Sequence, residues 1–368
     1  MPHLVAIDLP GGQDFVDALL RIWDAGDAAF PLDRRLPPTA RRTTLTAIAP
    51  DRLVDERGVH ELEGRGVEHG DALVVATSGT TGTPRGVVLT HDAVGASARA
   101  TSTRLAVTTA DTWLACLPLS HIGGLSVITR AVVTGTGVVV HDGFDAAAVS
   151  AAAAEGTTLV SLVPTALRRI DPRIFRRIVL GGSRPPGDLP SNVVTTYGMT
   201  ETGSGVVYDG LPLDGVDMRV DSLGEIHLRG PMLLRTYRDG SQPLADDWFA
   251  TGDLGAIDDN GRLAVRGRRD ELIITGGENV WPATVEAALA GHPGVAEVAV
   301  AGVPDTEWGE RVVAWIVPSD RSTPPNLASI RSRVTESLPG FMAPREIRIV
   351  DSLPTTTSGK VLRHQLPT

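Results

Sequence analysis

The sequence has a single lysine and a single cysteine. Lys360 is the one lysine in 368 residues, so arginine supplies every other basic side chain among the 34. Chance is one explanation; the other is a site that needs a flexible point charge, which the planar fork of arginine does not replace. Cys116 alone excludes a disulfide within the chain, which fits a reducing compartment. Since it lies in the apolar run 113–117, we expect it to be buried rather than to act as a nucleophile.

Long apolar runs and an excess of positive charge are also missing. The longest apolar runs, such as 138–140, are too short to span a membrane, and the first residues lack the basic and apolar pattern of a signal peptide. The net charge of -10 disfavours nucleic acid as a partner. We therefore expect a cytoplasmic protein with neither an integral membrane segment nor a nucleic-acid partner.

Short apolar segments alternate with helical patterns in the first half of the chain. A helix is predicted over 15–29, a Pro/Arg-rich connector over 31–42, and another helix over 91–104 with Thr90 as its N-cap. The alternation continues to about residue 180 and argues for α/β layers. After Val193 polar and apolar residues alternate, as in an antiparallel sheet with one wet face, and from Glu271 the pattern is that of a small α+β unit.

The densest motif is the segment 77–86, Thr-Ser-Gly-Thr-Thr-Gly-Thr-Pro-Arg-Gly. Its glycines let backbone N–H groups converge on an anion, its hydroxyls add donors, and Arg85 adds a charge. A flexible surface loop is the plain alternative, but predicted strands bracket the segment closely. The common P-loop is disfavoured, because that motif places Gly-Lys-Ser/Thr before a helix, whereas Arg85 leads into a strand. We interpret the segment as a phosphate-binding loop of another type.

Further motifs follow this loop in a fixed order. They are Leu-Pro-Leu-Ser-His-Ile-Gly-Gly at 117–124, Tyr-Gly-Met-Thr-Glu-Thr at 197–202, Thr-Gly-Asp at 251–253, Gly-Arg-Arg-Asp at 267–270, Gly-Gly-Glu-Asn-Val-Trp-Pro at 276–282 and Ser-Gly-Lys at 358–360. From about Asp71 to its end, the chain thereby resembles the acyl-adenylate-forming superfamily of acyl-CoA synthetases, adenylation domains and luciferases. One departure is that the loop cation, usually lysine in the family, is Arg85 here.

The resemblance implies a reaction in which a substrate carboxylate attacks the α-phosphorus of ATP and pyrophosphate leaves. A carboxylate with a pKa of about 4 is already ionised at neutral pH, so the site must stabilise charge rather than supply a general base. Lys360 and Arg85 are then the catalytic cations, and Glu201 holds Mg²⁺. The implied ATP-binding residues are Thr77, Ser78, Gly79, Thr80, Thr81, Gly82, Gly181, Gly182, Tyr197, Thr200, Asp253 and Arg268.

Individual residues in that set also have plainer explanations. Tyr197 is implied to stack on adenine, and the alternative is a tyrosine of the core. Asp253 is implied to accept hydrogen bonds from both ribose hydroxyls, and the alternative is a turn residue, since Thr-Gly-Asp is turn chemistry. Arg268 is implied to reach the ribose, and the alternative is a surface ion pair.

The same resemblance implies the domain organisation. It comprises a large N-terminal α/β domain with layered sheets and an antiparallel β subdomain at 1–269, and a small, mobile C-terminal α+β domain at 270–368. Asp270 is the implied hinge. After adenylation the small domain would rotate, carry Lys360 away and admit the thiol of coenzyme A, a gating step suited to two reactions at one site. ATP, Mg²⁺ and coenzyme A are thus the expected substrates and cofactors, and a homodimer is a compatible assembly.

Two stretches, 181–186 and 206–216, resemble actinobacterial o-succinylbenzoate–CoA ligases of menaquinone biosynthesis. The acid would then carry a second, aromatic carboxylate that needs polar partners, while glycines would leave room for its ring. The implied pocket residues are His121, Gly123, Gly124, Ser183, Ser204 and Gly205. Another acyl- or aryl-CoA ligase is the nearer alternative, and a non-catalytic nucleotide- or acyl-AMP-binding protein is the alternative from a different class.

Overall fold

Local signals in the sequence set several helix boundaries in the computed structural model, which describes residues 1–77, 84–355 and 361–367. The helices are α1 (Gln13–Asp24), α2 (Pro38–Ile48), α3 (His91–Arg104), α4 (Ile122–Thr134), α5 (Ala146–Ala154), α6 (Pro164–Leu167), α7 (Pro282–Leu289) and α8 (Leu327–Thr335). The predicted cap of α3 is confirmed, because the Thr90 hydroxyl accepts a hydrogen bond from the Ala93 N–H at 3.1 Å. Among the helices of these three ranges, none combines the length and the apolar composition that crossing a membrane requires.

Strands make up the remaining regular structure. They are β1 (Leu4–Ile7), β2 (Ala28–Pro31), β3 (Arg52–Asp55), β4 (Gly58–Glu61), β5 (Asp71–Thr77), β6 (Arg85–Thr90), β7 (Thr112–Ala115), β8 (Gly137–Val140), β9 (Leu159–Leu162), β10 (Arg177–Leu180), β11 (Val193–Met199), β12 (Ser204–Tyr208), β13 (Leu211–Pro212), β14 (Asp217–Val220), β15 (Glu225–Arg229), β16 (Thr236–Tyr237), β17 (Leu244–Ala245), β18 (Trp248–Ile257), β19 (Leu263–Arg268), β20 (Ile273–Thr275), β21 (Glu278–Val280), β22 (Val295–Asp305), β23 (Gly309–Pro318) and β24 (Glu346–Ile349).

Two mixed sheets carry most of the N-terminal strands. The first has the order β16-β6-β5-β2-β1-β3-β4, and the second has the order β13-β12-β11-β10-β9-β7-β8. In the second sheet the strands from β8 to β11 are parallel, and all of β9 is buried, as expected for a strand covered on both faces. Cys116 packs here beside Leu114 and Val149, and burial raises the pKa of its thiol to about 12. The predicted packing role of this cysteine is confirmed.

The later strands form two further sheets. One has the order β14-β15-β18-β17, with β19 paired to β18, and the other has the order β21-β20-β23-β22, with β24 parallel to β23. Helices α7 and α8 cover the last sheet, where Leu289, Ile316 and Ile330 are fully buried. The antiparallel and α+β textures predicted after Val193 and Glu271 are therefore confirmed.

The chain divides into two compact units. The large unit is Met1–Met218, His227–Ala250 and Asp259–Arg262, and the small unit is Arg219–Ile226, Thr251–Asp258 and Leu263–Thr368. The α/β class, with an antiparallel sheet and a small α+β region, is the fold class that the sequence predicts. The division at 269/270 and the mobility of the C-terminal domain stay predictions.

Two N-terminal predictions were wrong. The helix predicted over 15–29 ends at Asp24, and Ala29 lies in β2, where it is opposite Val5 on one side and Leu73 on the other. The connector predicted over 31–42 contains the start of α2 at Pro38, a residue whose fixed φ suits the first turn of a helix.

Candidate active site

The structure joins the two ends of the predicted phosphate loop. Thr77 ends β5 and Arg85 begins β6, and the two residues are directly opposite in an antiparallel pair. The Thr77 hydroxyl donates to the Arg85 carbonyl at 3.3 Å. Strands therefore bracket the loop as predicted. The remaining implied loop residues lie outside the described residues; they are Ser78, Gly79, Thr80, Thr81 and Gly82.

The Arg85 side chain is held by Tyr237, which ends β16 beside β6, and by two residues that follow this strand. Its guanidinium carbon lies 3.8 Å from the centroid of the Tyr237 ring, within the range of a cation–π interaction. Its Nη2 donates to the Ser241 hydroxyl at 2.6 Å and lies 3.4 Å from Asp239 Oδ2. A flat guanidinium uses its face and its edge at once, which a lysine ammonium does not do. The local environment of Arg85 therefore suits an arginine, although the family usually has a lysine at this position.

Glu201 lies on a short 3₁₀ turn, Thr200–Thr202, between β11 and β12. The turn is fixed by Thr202, whose buried hydroxyl accepts a hydrogen bond from the Met199 N–H at 2.9 Å. The Tyr237 hydroxyl donates to Glu201 Oε1 at 3.0 Å. Burial and the Glu201 charge raise the pKa of Tyr237, so the phenol keeps the proton that it donates.

The chemistry of Glu201 fits a magnesium ion. Mg²⁺ prefers carboxylate oxygens, usually one or two from the protein together with substrate phosphates. Oε1 of Glu201 is engaged by Tyr237, and within the described ranges no residue donates a hydrogen bond to Oε2. One carboxylate oxygen is thus available to a hard cation, and the role of Glu201 as its ligand stays a prediction.

The implied adenine residues lie at one edge of the second sheet. Gly181 follows β10, Tyr197 is in β11, and these strands are neighbours and parallel, so their carboxyl ends meet at the same edge. A Cβ on Gly181 would lie 2.9 Å from the Thr196 hydroxyl, and Gly182 has a φ of +84°, which favours glycine. The backbone at this edge therefore requires both glycines. Thr200 comes next along the chain, on the turn that carries Glu201.

The implied ribose residues are paired within the small unit. Asp253 on β18 is directly opposite Arg268 on β19, and Arg268 Nη1 lies 3.5 Å from Asp253 Oδ1. Arg268 also donates to the Thr251 carbonyl at 3.0 Å and lies 3.3 Å from Asp270 Oδ1. One guanidinium thus contacts the implied ribose ligand and the implied hinge residue, while ribose binding itself stays a prediction.

His121, an implied pocket residue, begins helix α4 as its N-cap. Its Nε2 accepts a hydrogen bond from Arg35 Nη2 at 3.1 Å, because arginine has only donors to offer. Burial, followed by the neighbouring Arg35 charge, lowers the pKa of His121. The imidazole is therefore neutral at pH 7, and it does not supply a positive charge for a substrate carboxylate.

The implied pocket glycines differ in their surroundings. A Cβ on Gly124 would lie 2.5 Å from the Leu117 carbonyl oxygen, and a Cβ on Gly205 would lie 2.7 Å from the Thr196 hydroxyl. Both glycines thus permit a close approach of protein segments. At Gly123 the nearest atom to a Cβ is a Leu117 methyl at 3.9 Å, so that position faces open space. Space for an aromatic ring beside these glycines stays a prediction, as does a role for Ser183, which lies exposed after β10.

Arg130 is another residue that none of the sequence motifs singled out. It lies on α4 and is 3% exposed. Its guanidinium donates to the hydroxyls of Ser126 at 3.0 Å, Ser161 at 3.3 Å and the implied pocket residue Ser204. Its Nε has no partner, and no carboxylate of the described chain forms an ion pair with it. A lone charge in the apolar run 122–134 is the sequence signal that would have found it.

Lys360 lies outside the described residues, but both ends of its segment are described. Thr355 and Val361 form an antiparallel β-bridge, and the Leu362 N–H donates to the Pro354 carbonyl at 2.8 Å. Farther on, Arg363 binds the partly buried Glu286 at 2.7 Å and Glu271 at 3.1 Å. The chain that follows Lys360 is thereby attached to the small unit.

Comparison with known proteins identifies the family. The sequence matches the AMP-binding enzyme family over residues 67–238 and the AMP-binding enzyme C-terminal domain over residues 284–360. A probable 2-succinylbenzoate–CoA ligase of Mycobacterium tuberculosis is 41% identical over 82% of this chain and 85% of its own length. The 2-succinylbenzoate–CoA ligase of Listeria monocytogenes is 35% identical over 80% of this chain and 69% of its own length.

Solved structures agree with the sequence relatives. The o-succinylbenzoate CoA synthetase of Bacillus subtilis, in complex with its acyl-adenylate intermediate, superposes with a TM-score of 0.90 at 30% identity, covering 100% of this chain and 88% of that one. The same enzyme with ATP and magnesium ion gives a TM-score of 0.88 at 30% identity, covering 99% and 89%. The chain therefore belongs to the AMP-binding, acyl-adenylate-forming enzymes, the family of these 2-succinylbenzoate–CoA ligases.

Proposed function

We propose that this protein is an ATP-dependent acid–thiol ligase that converts o-succinylbenzoate to o-succinylbenzoyl-CoA, a step of menaquinone biosynthesis, through an acyl-adenylate. Its sequence relatives and structural neighbours carry that activity in their names. The observation that carries the choice of acid is the buried guanidinium of Arg130.

A buried charge without a counter-charge is costly. An isolated ion transferred from water to a protein interior loses several kcal/mol of solvation, roughly, unless an opposite charge repays it. Arg130 has serine hydroxyls around it, its guanidinium carbon lies 5.3 Å from the centroid of the Trp113 ring, and within the described ranges it has no carboxylate. Hydroxyl dipoles and an aromatic face compensate only part of that cost. The site is therefore suited to a ligand that brings its own negative charge.

o-Succinylbenzoate has two carboxylates, so one negative charge is left after the other carboxylate has reacted. One of its two carboxylates must react with ATP and loses its charge in the acyl-adenylate. The aromatic carboxylate remains ionised through both steps and would pair with Arg130 beside Ser204. A fatty acid or a simple aryl acid has no second carboxylate and would leave Arg130 unpaired. The geometry therefore favours a diacid over the other acids of the family.

The proposed first step uses the cations at the phosphates. The succinyl carboxylate attacks the α-phosphorus, the bond to the bridging oxygen breaks, and pyrophosphate leaves. Lys360 supplies a point charge to the α-phosphate, and Arg85 with Thr77 and the loop residues 78–82 binds the other phosphates. Glu201 would hold Mg²⁺, which supplies further positive charge to phosphate oxygens when bound.

The proposed second step needs a different arrangement of the chain. We propose that residues 270–368 rotate about Asp270 relative to residues 1–269, and that the thiol of coenzyme A then attacks the acyl carbon and releases AMP. The contact of Arg268 with both Asp253 and Asp270 supports this assignment, because it joins the implied nucleotide ligand to the implied hinge.

We infer a cytoplasmic enzyme, because its one cysteine is a buried thiol and its proposed co-substrates, ATP and coenzyme A, are cytoplasmic metabolites. A homodimer stays a prediction, and sedimentation velocity of the purified chain tests it.

A substrate panel tests the proposed function. The protein is incubated with ATP, Mg²⁺, coenzyme A and one acid at a time: o-succinylbenzoate, benzoylpropionate (which lacks the ring carboxylate), benzoate or a fatty acid. Mass spectrometry reads the thioester, and a coupled assay reads pyrophosphate. We expect turnover with o-succinylbenzoate above all others. Turnover with another acid instead would identify a different acyl- or aryl-CoA ligase, and no pyrophosphate with any acid would identify a non-catalytic binding protein.

A further inference from the structure

We propose that Tyr237 is a positioning residue for the nucleotide phosphates and their metal ion, because it joins Arg85 to Glu201. The inference rests on the proposed function, since both partners bind the triphosphate only if the chain is an adenylate-forming ligase. Tyr237 belongs to none of the motifs that carry the family resemblance.

The backbone fixes Tyr237 beside the strand that starts with Arg85. Tyr237 on β16 is opposite Val87 on β6, and the next residue, Arg238, donates its N–H to the Gly86 carbonyl at 2.7 Å. Only 9% of Tyr237 is exposed. A side chain fixed in this way can hold its neighbours in place without itself moving.

Tyr237 presents a different surface to each partner. The ring face carries the Arg85 guanidinium at 3.8 Å from the centroid, and the hydroxyl at the far end donates to Glu201 Oε1 at 3.0 Å. The electron-rich face suits a cation, and the hydroxyl proton suits a carboxylate. One side chain therefore orients two groups of opposite charge.

This arrangement separates two charges that would otherwise attract each other. Arg85 and Glu201 form no direct ion pair in the part of the chain that the structure describes. A direct pair would occupy the cation that phosphates need and the carboxylate that the metal needs. With the phenol between them, Arg85 remains 40% exposed, and Glu201 keeps Oε2 for a cation.

Arginine suits this site because the edge of its guanidinium can donate a hydrogen bond while its face contacts an aromatic ring. Nη2 donates to Ser241 at 2.6 Å while the face rests on Tyr237. Asp239 accepts hydrogen bonds from Ser241, and the Arg85 charge also helps to lower the pKa of Asp239. The segment 237–241 thus provides an aromatic face and a hydrogen-bond acceptor that together fit a planar cation.

The test compares Tyr237→Phe with Tyr208→Phe. The first variant removes the hydroxyl at Glu201 and keeps the ring under Arg85. The matched control removes the buried hydroxyl that lies 3.2 Å from the Thr101 hydroxyl, away from Glu201. Electron paramagnetic resonance measures the dissociation constant of Mn²⁺ from the protein–ATP complex without an acid, so turnover does not enter. Thermal unfolding verifies that each variant is folded.

We expect Tyr237→Phe to weaken Mn²⁺ binding by about tenfold or more, the usual effect of removing a group that orients a metal ligand, and Tyr208→Phe to leave it unchanged. In a Glu201→Gln background, Tyr237→Phe should have no further effect. Equal Mn²⁺ affinities of the wild type and Tyr237→Phe would overturn the inference and leave the proposed function intact. A wild type that binds no Mn²⁺ in the presence of ATP would overturn both.

If Tyr237→Phe does not fold, the inference can be tested on the protein that retains Tyr237. The chain has 3 tyrosines, so fluorotyrosine labelling gives few ¹⁹F resonances, which Tyr197→Phe and Tyr208→Phe assign. Addition of Mg²⁺ to the ATP complex should shift the Tyr237 resonance, because its acceptor becomes a metal ligand, and should leave that of Tyr208 in place. A Tyr237 resonance that does not respond to Mg²⁺ would overturn the inference.

Discussion

Replacing Arg130 with methionine should remove recognition of the aromatic carboxylate and leave the rest of the reaction in place. Methionine has similar length and no charge, so Arg130→Met empties the guanidinium position with little change in volume. The matched control is Arg104→Met, since Arg104 is a partly buried arginine whose guanidinium donates to the carbonyls of Leu211 and Pro212 rather than to pocket hydroxyls.

The magnitude follows from the burial of Arg130. Two unit charges about 4 Å apart interact by about 4 kcal/mol at an effective dielectric constant of about 20. Arg130 is 3% exposed, so solvent screens such a pair only weakly. Loss of the ion pair between Arg130 and the ring carboxylate should lower kcat/KM for o-succinylbenzoate by about 10²–10³-fold. The lower value applies if the two charges are only partly paired in the wild type. Benzoylpropionate has no ring carboxylate, and its kcat/KM should change by less than about 3-fold.

Stability should respond in the opposite direction. Removing an uncompensated buried charge is neutral or stabilising, because its desolvation cost disappears. The midpoint of thermal unfolding of Arg130→Met, measured without substrates, should therefore equal or exceed that of the wild type. Pyrophosphate release with the two acids gives the kinetic comparison. Equal losses with both acids, or an unchanged kcat/KM for o-succinylbenzoate, would refute the assignment of Arg130 to the ring carboxylate.

Three other perturbations test separate parts of the molecule. Lys360→Arg keeps the charge and should lower adenylation by at least about 10²-fold, while thioester formation from supplied acyl-adenylate changes much less; normal pyrophosphate release would remove Lys360 from the mechanism. Burial alone would raise the pKa of Asp111, but the hydrogen bonds from Arg176, Thr108 and Thr158 and the Arg176 charge together outweigh it and lower that pKa to about 2. The stability that Asp111 contributes is thus complete above about pH 4 and is lost as the pH falls through about 2; Asp111→Asn should cost roughly 3 kcal/mol in denaturant unfolding at pH 7 and should unfold with less dependence on acid. A Cβ on Gly198 would lie 2.2 Å from the Ser204 carbonyl oxygen, so Gly198→Ala should lower the thermal midpoint and weaken metal binding at the adjoining turn, and an unchanged midpoint would contradict the close approach.

Elements with strong local signals could be predicted from the sequence. Helix α3 begins at His91 after the Thr90 cap and ends at Arg104, as predicted, because the cap and the helical pattern lie within one short segment. The N-terminal helix was predicted too long. Gly26, with a φ of +77°, follows the helix and is a local stop signal that the prediction did not use, and the strand conformation of Ala28 and Ala29 is set by pairing with β1 and β5.

The ordered motifs predict a set of site residues, but they do not predict how the side chains of those residues are held. Glu201 and Tyr237 are 36 residues apart, and their hydrogen bond depends on the pairing of β16 with β6. The sequence shows that Arg85 replaces the usual lysine, but not that Arg85 contacts Tyr237 and Ser241. Those contacts also depend on the pairing of β16 with β6. Such contacts follow from tertiary structure, and a single sequence contains no periodicity that reports them.

Arg130 shows how sequence and structure combine to limit the substrate. In the sequence, an arginine within Ile-Gly-Gly-Leu-Ser-Val-Ile-Thr-Arg-Ala-Val-Val could occupy the solvent face of an amphipathic helix. The structure removes that option, since residues 124–131 of α4 are all buried. A helix buried along that length gives a long side chain no route to water, so its charge needs an internal partner. Because the described chain offers hydroxyls and no carboxylate, the missing partner is most simply the acid itself. The proposed acid then follows from a charge that the described residues do not neutralise, and this is why a second carboxylate, rather than the size of the ring, should decide which acids react.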